Sequence, residues 1–205
     1  MKTSAKSFII QSNSWQNHFS AIFILLLIIM PLVTVSQGPA HYVCYRTVNP
    51  VITDGFLDEP VWSLLAWSAD FTDITGKMVL KPPLRSRVKM AWDDQFLYIA
   101  AELQEPHIWA TITQRDAVIF QDNDFEVFID PDGSSLNYTE VEVNALGTVW
   151  DLRLSRPYKD GGRADNHFDL RGLKVGIQIK GTINQPDDTD SSWIIEMALP
   201  IDELL

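Results

Sequence analysis

The chain has 205 residues, a formal net charge of −11 and a single cysteine, Cys44. So acidic a surface repels nucleic acid and anionic lipid, and one cysteine excludes an internal disulfide. What remains open is a domain with its own apolar core, suited to neutral ligands such as sugars or to divalent cations.

The N-terminus reads as a leader. Lys2 and Lys6 supply positive charge, residues 21–33 are apolar apart from Pro31, and Thr34, Ser36 and Gly38 follow. A charged start, a short apolar centre and a small-residue exit describe a secretory signal peptide over residues 1–36. The apolar run is short for a membrane span, which needs about 20 residues; a retained signal anchor is the competing reading. All 27 acidic residues lie beyond this leader. Setting it aside leaves about 170 residues, the size of one domain. Ala40-His41-Tyr42-Val43 is a poor lipobox, so Cys44 is not read as a lipid anchor.

Beyond it, alternation dominates. Asp58 and Pro60 predict a short helix, Asp58 as its cap, with Trp62, Leu65 and Ala66 facing the core. Val88, Met90 and Trp92 share one face, Asp93-Asp94-Gln95 turns the chain, and Leu97, Ile99, Ala101 and Leu103 share the returning face. This predicts a hairpin. Phe125, Val127 and Ile129 alternate with Glu126, Phe128 and Asp130 until Pro131-Asp132-Gly133 ends the strand. Val141 and Val143 alternate with Glu140, Glu142 and Asn144. Two more alternating runs follow, residues 173–180 and 193–199, and Ile201-Asp202-Glu203 predicts a second short helix or turn. Many short strands separated by turn signals predict an all-β fold: an antiparallel β-sandwich, immunoglobulin- or jelly-roll-like, with one or two short helices. Strict alternation predicts that one face of each sheet is wet. Residues 155–169, rich in Gly, Asp, Arg and Asn, form the longest predicted loop, and a loop of that length is often functional.

Three blocks stand out together: Val51-Ile52-Thr53-Asp54-Gly55-Phe56-Leu57-Asp58-Glu59-Pro60-Val61-Trp62, then Val88 to Ile99, then Asn123-Asp124-Phe125-Glu126-Val127-Phe128-Ile129-Asp130. In this order and spacing they resemble the family 9 carbohydrate-binding modules, over residues 45–205. The resemblance implies a non-catalytic, sugar-binding sandwich of a kind often joined to glycoside hydrolases, and hence a role in carbohydrate breakdown. It implies a stacking aromatic at the position of Phe120, where tryptophan is usual. It also implies a second stacking aromatic and closing strands beyond Leu205, so that residues 45–205 read as C-terminally incomplete.

Sugar rings stack their C–H faces on flat π surfaces. Among the seven tryptophans, Trp92 and Trp193 lie on predicted core faces, whereas Trp67, Trp109 and Trp150 do not. The candidate carbohydrate contacts are Phe120, Trp109, Asn144 and Trp150, with residues of the 155–169 loop; Arg153 and Arg156 could donate to sugar hydroxyls. Asp122, Asp124, Glu126 and Asp130 share one parity, and a strand there would set several oxygens on one side. These four are the candidate calcium ligands, and structural calcium would suit an exported domain without disulfides. A solvated acidic face is the plainer reading. Two other functions stay open: a haem-binding redox module of DOMON-like sandwich fold, using His41, His107, His167, Met78, Met90 or Met197, and an exported structural or protein-interaction domain. No nucleophile elbow, phosphate loop or zinc-ligand spacing is present.

Overall fold

The computed structural model describes residues 41–73 and 82–205. The leader predicted over residues 1–36, and Met78, lie outside the described residues. Nine strands and two short helices follow in chain order: β1 (Tyr45–Arg46), α1 (Pro60–Leu64), β2 (Ser86–Trp92), β3 (Phe96–Gln104), β4 (Asp124–Ile129), β5 (Tyr138–Asn144), β6 (Val149–Leu154), β7 (Ala164–Asp165), β8 (Lys174–Lys180), β9 (Ser192–Pro200) and α2 (Ile201–Leu204). A single 3-10 turn, Ile119–Gln121, precedes β4, and another, Tyr158–Asp160, sits inside the long 155–169 segment. The strands form two sheets, in the orders β1-β2-β3-β9-β8 and β4-β5-β6-β7. Every pairing is antiparallel except that of β1 with β2.

The core lies between the sheets. Ile99 and Ala101 from β3, Phe125 from β4, Val141 and Val143 from β5, and Trp193, Ile195, Met197 and Leu199 from β9 are buried together. The period of two in the sequence puts these side chains on the inner faces. The hairpin at Asp93 forms as expected, with the Asp93 carboxylate accepting from the amides of Gln95 and Phe96, both at 2.8 Å.

The expectation of one wet face per sheet is corrected. All nine residues of β9 are buried. The outer face of the five-stranded sheet is covered by residues 51–65, where Val51, Trp62 and Leu65 pack on Ala91, Tyr98, Ala100 and Ala198. Three alanines on adjacent strands leave room for the indole of Trp62. That layer is pinned by Glu196 of β9, a fully buried carboxylate. It accepts from Trp62 Nε1 at 2.7 Å and from the backbone amides of Asp54 at 3.0 Å and Gly55 at 3.1 Å. Gly55 and Gly176 let the two backbones touch: Gly55 adopts φ +89°, and a Cβ on Gly176 would lie 2.4 Å from the Gly55 nitrogen.

Smaller corrections follow. Helix α1 is capped by Glu59 rather than Asp58, with Pro60 opening it. The Glu59 carboxylate is turned to the amide of Ile52 at 2.8 Å, so the cap is filled by backbone conformation alone. Ala66 is exposed, not core. Trp92, at the open end of β2, is 37% exposed and lies beneath the Arg46 guanidinium, 5.8 Å from the ring centroid.

Two measurements test this account. Burial pushes Glu196 up to about 7, outweighing the Trp62, Gly55 and Asp54 donors. Its folded-state value therefore lies above its unfolded one. The stability it contributes is complete below about pH 4.5 and is lost as pH rises through about 7, a difference on the order of 2–3 kcal/mol. Melting curves from pH 5 to 8.5 should decline across that window, and Glu196→Gln should flatten part of the decline. Gly176→Ala forces the 54–55 backbone off β8 and should cost about 1–3 kcal/mol in denaturant titration; wild-type stability in that variant would mean the two backbones are not in contact.

Candidate functional site

The outer face of the four-stranded sheet differs in character from the covered face opposite. Its register sets Glu126 opposite Glu142, Phe128 opposite Glu140, and Trp150 opposite Glu142 on the far side. Asp124, Glu126 and Phe128 of β4, Tyr138, Glu140 and Glu142 of β5, and Trp150, Leu152 and Leu154 of β6 thus share one face. An apolar patch of Ile119, Trp150, Leu152 and Leu154 covers part of it. The rest is carboxylate and aromatic.

The segment before β4 brings Phe120 to this face. Asp122 fixes that segment: its carboxylate accepts from the amides of Thr111 and Ile112, both at 2.8 Å, from the Thr111 hydroxyl at 2.9 Å and from Asn144 Nδ2 at 3.0 Å. Burial would raise the Asp122 carboxyl, but these four bonds outweigh it and hold it below the usual carboxylate range. Within the 3-10 turn Ile119 is fully buried, while Phe120 beside it is 59% exposed. The Phe120 amide donates to Glu142 Oε2 at 3.1 Å, and its ring lies 6.1 Å from that of Trp150 at an interplanar angle of 39°. The result is a flat apolar surface held by a buried neighbour and a backbone bond.

The carboxylates beside it repel one another. Burial pushes Glu142 up to about 8, with Asp124, Glu126 and Glu140 adding to the rise. Burial also carries Asp124 up to about 6, with Glu126 next, and raises Glu126 and Glu140. Tyr158, exposed on the long loop, is raised by burial first and then by Glu140, which places its hydroxyl near that carboxylate.

The predicted site residues are divided by this geometry. Phe120 and Trp150 meet, but Trp150 is buried and offers no open ring. Asn144 is fully buried, and its amide is used internally: Nδ2 donates to Ile112 O and Asp122, and Oδ1 accepts from Leu146 N and Thr148 N. It has no polar atom left for a sugar. Trp109 is 48% exposed and has no ring contact among the described residues; its backbone neighbours are tied to Asn184 and Asp190. Arg153 lies 4.5 Å from the Phe168 centroid at the other edge of the sheet. Of the predicted calcium ligands, Asp124 and Glu126 come together. Asp122 is spent on the strap, and Asp130 accepts from the Ser135 amide at 2.7 Å in the following turn. The partners sequence reasoning missed are Glu140 and Glu142; drawing the β4–β5 register would have found them. Of the haem candidates, Met197 is buried and Met90 partly buried against the sandwich core, and His41, His107 and His167 are exposed.

Comparison with known proteins fits this architecture. The family model described as "Carbohydrate family 9 binding domain-like" matches residues 52–204. Among solved structures, a family 9 module from Caldicellulosiruptor kristjanssonii in complex with cellotriose is 15% identical, with a TM-score of 0.51, over 78% of this chain and 68% of that one. The glucose complex from the same organism gives 15% identity and a TM-score of 0.50, over 78% of this chain and 70% of that one. A putative carbohydrate-binding protein from Bacteroides uniformis ATCC 8492 gives 14% identity and a TM-score of 0.55, over 78% of this chain and 72% of that one. No curated protein matches. At these identities the solved structures speak for the fold. The family match spans most of the chain, and on that ground the chain belongs to the carbohydrate family 9 binding domain-like family.

Proposed function

We propose that this chain is an exported, non-catalytic saccharide-binding module, and that the sugar lies on Phe120 at the outer face of the four-stranded sheet. The observation that carries this reading is the exposed Phe120 ring, fixed over a face lined by Glu126, Glu140 and the Tyr158 hydroxyl. A sugar offers an apolar C–H face and a rim of hydroxyls that donate and accept. Phe120 meets the first, and the carboxylates and phenol meet the second. The family description and the glucose and cellotriose held by two of its solved relatives support a neutral saccharide as the ligand. Such a module would serve polysaccharide breakdown by holding substrate near a glycoside hydrolase. The leader over residues 1–36 supports secretion or display at the cell surface.

Calorimetric titration with glucose and cellotriose is the direct test. Phe120→Ala should weaken binding by about 1–3 kcal/mol of lost apolar contact, with the melting temperature preserved because the ring is exposed. Phe120→Trp should tighten binding. Unchanged affinity in a folded Phe120→Ala protein removes Phe120 from the site, with Trp109 the next exposed candidate. For export, N-terminal sequencing of the mature protein should begin between about residues 35 and 41; a mature chain still starting at Met1 would overturn it.

A further inference from the structure

The outer face of the four-stranded sheet carries more than one exposed ring. Phe120 is 59% exposed beside Trp150, Phe128 of β4 is 55% exposed, and Tyr158 of the long loop is 59% exposed. The Phe128 ring meets that of Tyr138 of β5, centroids 6.2 Å apart at an interplanar angle of 60°. The register separates the two ring pairs. Trp150 lies opposite Glu142 and Phe128 opposite Glu140, so Trp150 and Phe128 stand one row apart along the strands and two strands apart across them. At about 3.4 Å per residue and about 4.8 Å per strand, their backbones are roughly 12 Å apart. One pyranose ring cannot cover both.

Between the pairs the face is roofed over. Glu140 and Glu142 point outward by register but are only 6% and 2% exposed. Tyr158 has Glu140, Tyr138 and Glu142 as its electrostatic neighbours, which sets it beside the middle of β5. Its backbone is fixed by a tight turn: the Gly161 amide donates to Tyr158 O at 3.0 Å, and the Gly162 amide to Pro157 O at 3.1 Å. Gly161 takes φ +79°, and a Cβ on Gly162 would collide with the Arg156 carbonyl, so this turn needs glycine. The backbone of Phe128 is fixed by the β4–β5 ladder. Phe120, Tyr158 and Phe128 thus form a row whose backbone is set before anything binds, which spares a ligand the cost of ordering it.

We propose, resting on the saccharide reading of Phe120, that Phe128 and Tyr138 form a second saccharide subsite with Tyr158 between the two, and that the ligand is the interior of a neutral glycan chain lying across β4 and β5. Successive sugars set their C–H faces on Phe120 and Phe128, while their hydroxyls donate to the exposed Glu126 and exchange hydrogen bonds with the Tyr158 phenol. Both ends of the row are exposed rings. Holding a chain terminus takes polar groups that close off one end, whereas an open row lets the chain run past. A protein partner covering this patch would strip water from Glu126, a cost that a hydrated sugar rim avoids.

Calorimetric titration with glucose and with cellohexaose is the test, with melting temperature as the folding control. Wild type should bind cellohexaose about tenfold or more tightly than glucose, the order expected when a second ring adds its apolar contact. Phe128→Ala should remove most of that gap, because only the longer sugar reaches both ring pairs. Phe120→Ala should weaken both sugars. Should Phe128→Ala melt early, Tyr158→Ala on the exposed loop supplies the same comparison. Cellohexaose reduced at its terminal ring with borohydride should bind as the untreated sugar does. Equal affinity of wild type for the two sugars overturns the proposal and leaves the Phe120 reading standing. So does a folded Phe128→Ala protein that keeps the whole gap. Loss of cellohexaose binding on terminal reduction overturns the assignment to a chain interior. No binding of either sugar by wild type overturns both readings.

Discussion

Glu196 of β9 accepts three N–H bonds beneath the 51–65 layer, and Asp122 accepts from three N–H groups and a hydroxyl beneath the 108–122 strap. These two carboxylates, Glu196 fully buried and Asp122 partly so, solve the same problem on opposite faces. A sandwich whose central strand is buried on both sides needs an outer layer, and a layer without regular structure leaves its amides unpaired. Each acid collects those amides into one point. Without Glu196 the indole of Trp62 and the turn at Gly55 have no common partner. Without Asp122 the segment that carries Phe120 loses its register against β5.

The same residue type behaves in opposite ways a few ångströms along the sheet. Asp122 is held low because donors surround it. Asp124 and Glu142 rise to about 6 and about 8 because burial strips their water and their neighbours are acids. The difference lies in what the chain offers: several N–H groups at the strap, and over the middle of β4 and β5 mainly other carboxylates beside the Phe120 amide on Glu142. That contrast separates acids that hold the fold together from acids that repel one another.

Much of this was legible in the sequence. The period of two gave β2, β3, β4, β5, β8 and β9 and their inner faces, because burial between two sheets acts on every second side chain. β6 was missed: Trp150, Leu152 and Leu154 are apolar on its outer face, while Asp151 on its inner face is buried against Arg115 and the amide of Leu170. A buried charge with a distant partner reverses the expected alternation. The layer over β9 was also hidden, since Glu196 reads as an outward acid until its partners 134 to 142 residues away are known. On the outer face, Phe120 was singled out by the family resemblance, counting back from Phe128-Ile129-Asp130. The acidic group could not be placed, because parity along one strand gathers Asp122 and Asp130, whereas the cross-strand neighbours are Glu140 and Glu142.

Phe120 shows how a surface of this kind is built at low cost. An exposed phenylalanine on a free loop would lose its order to conformational entropy, and a ligand would have to restore it. Here the adjoining residue, Ile119, is fully buried on Trp150, Leu152 and Leu154, and the Phe120 amide is tied to Glu142. The backbone beneath the ring is therefore fixed before anything binds, while the ring itself keeps its open face. Burying one side chain of a short turn to expose the next is a local arrangement, and it needs only that the strap be held at Asp122. The position of the exposed Phe120 ring thus follows from the strap that the Asp122 carboxylate holds in place.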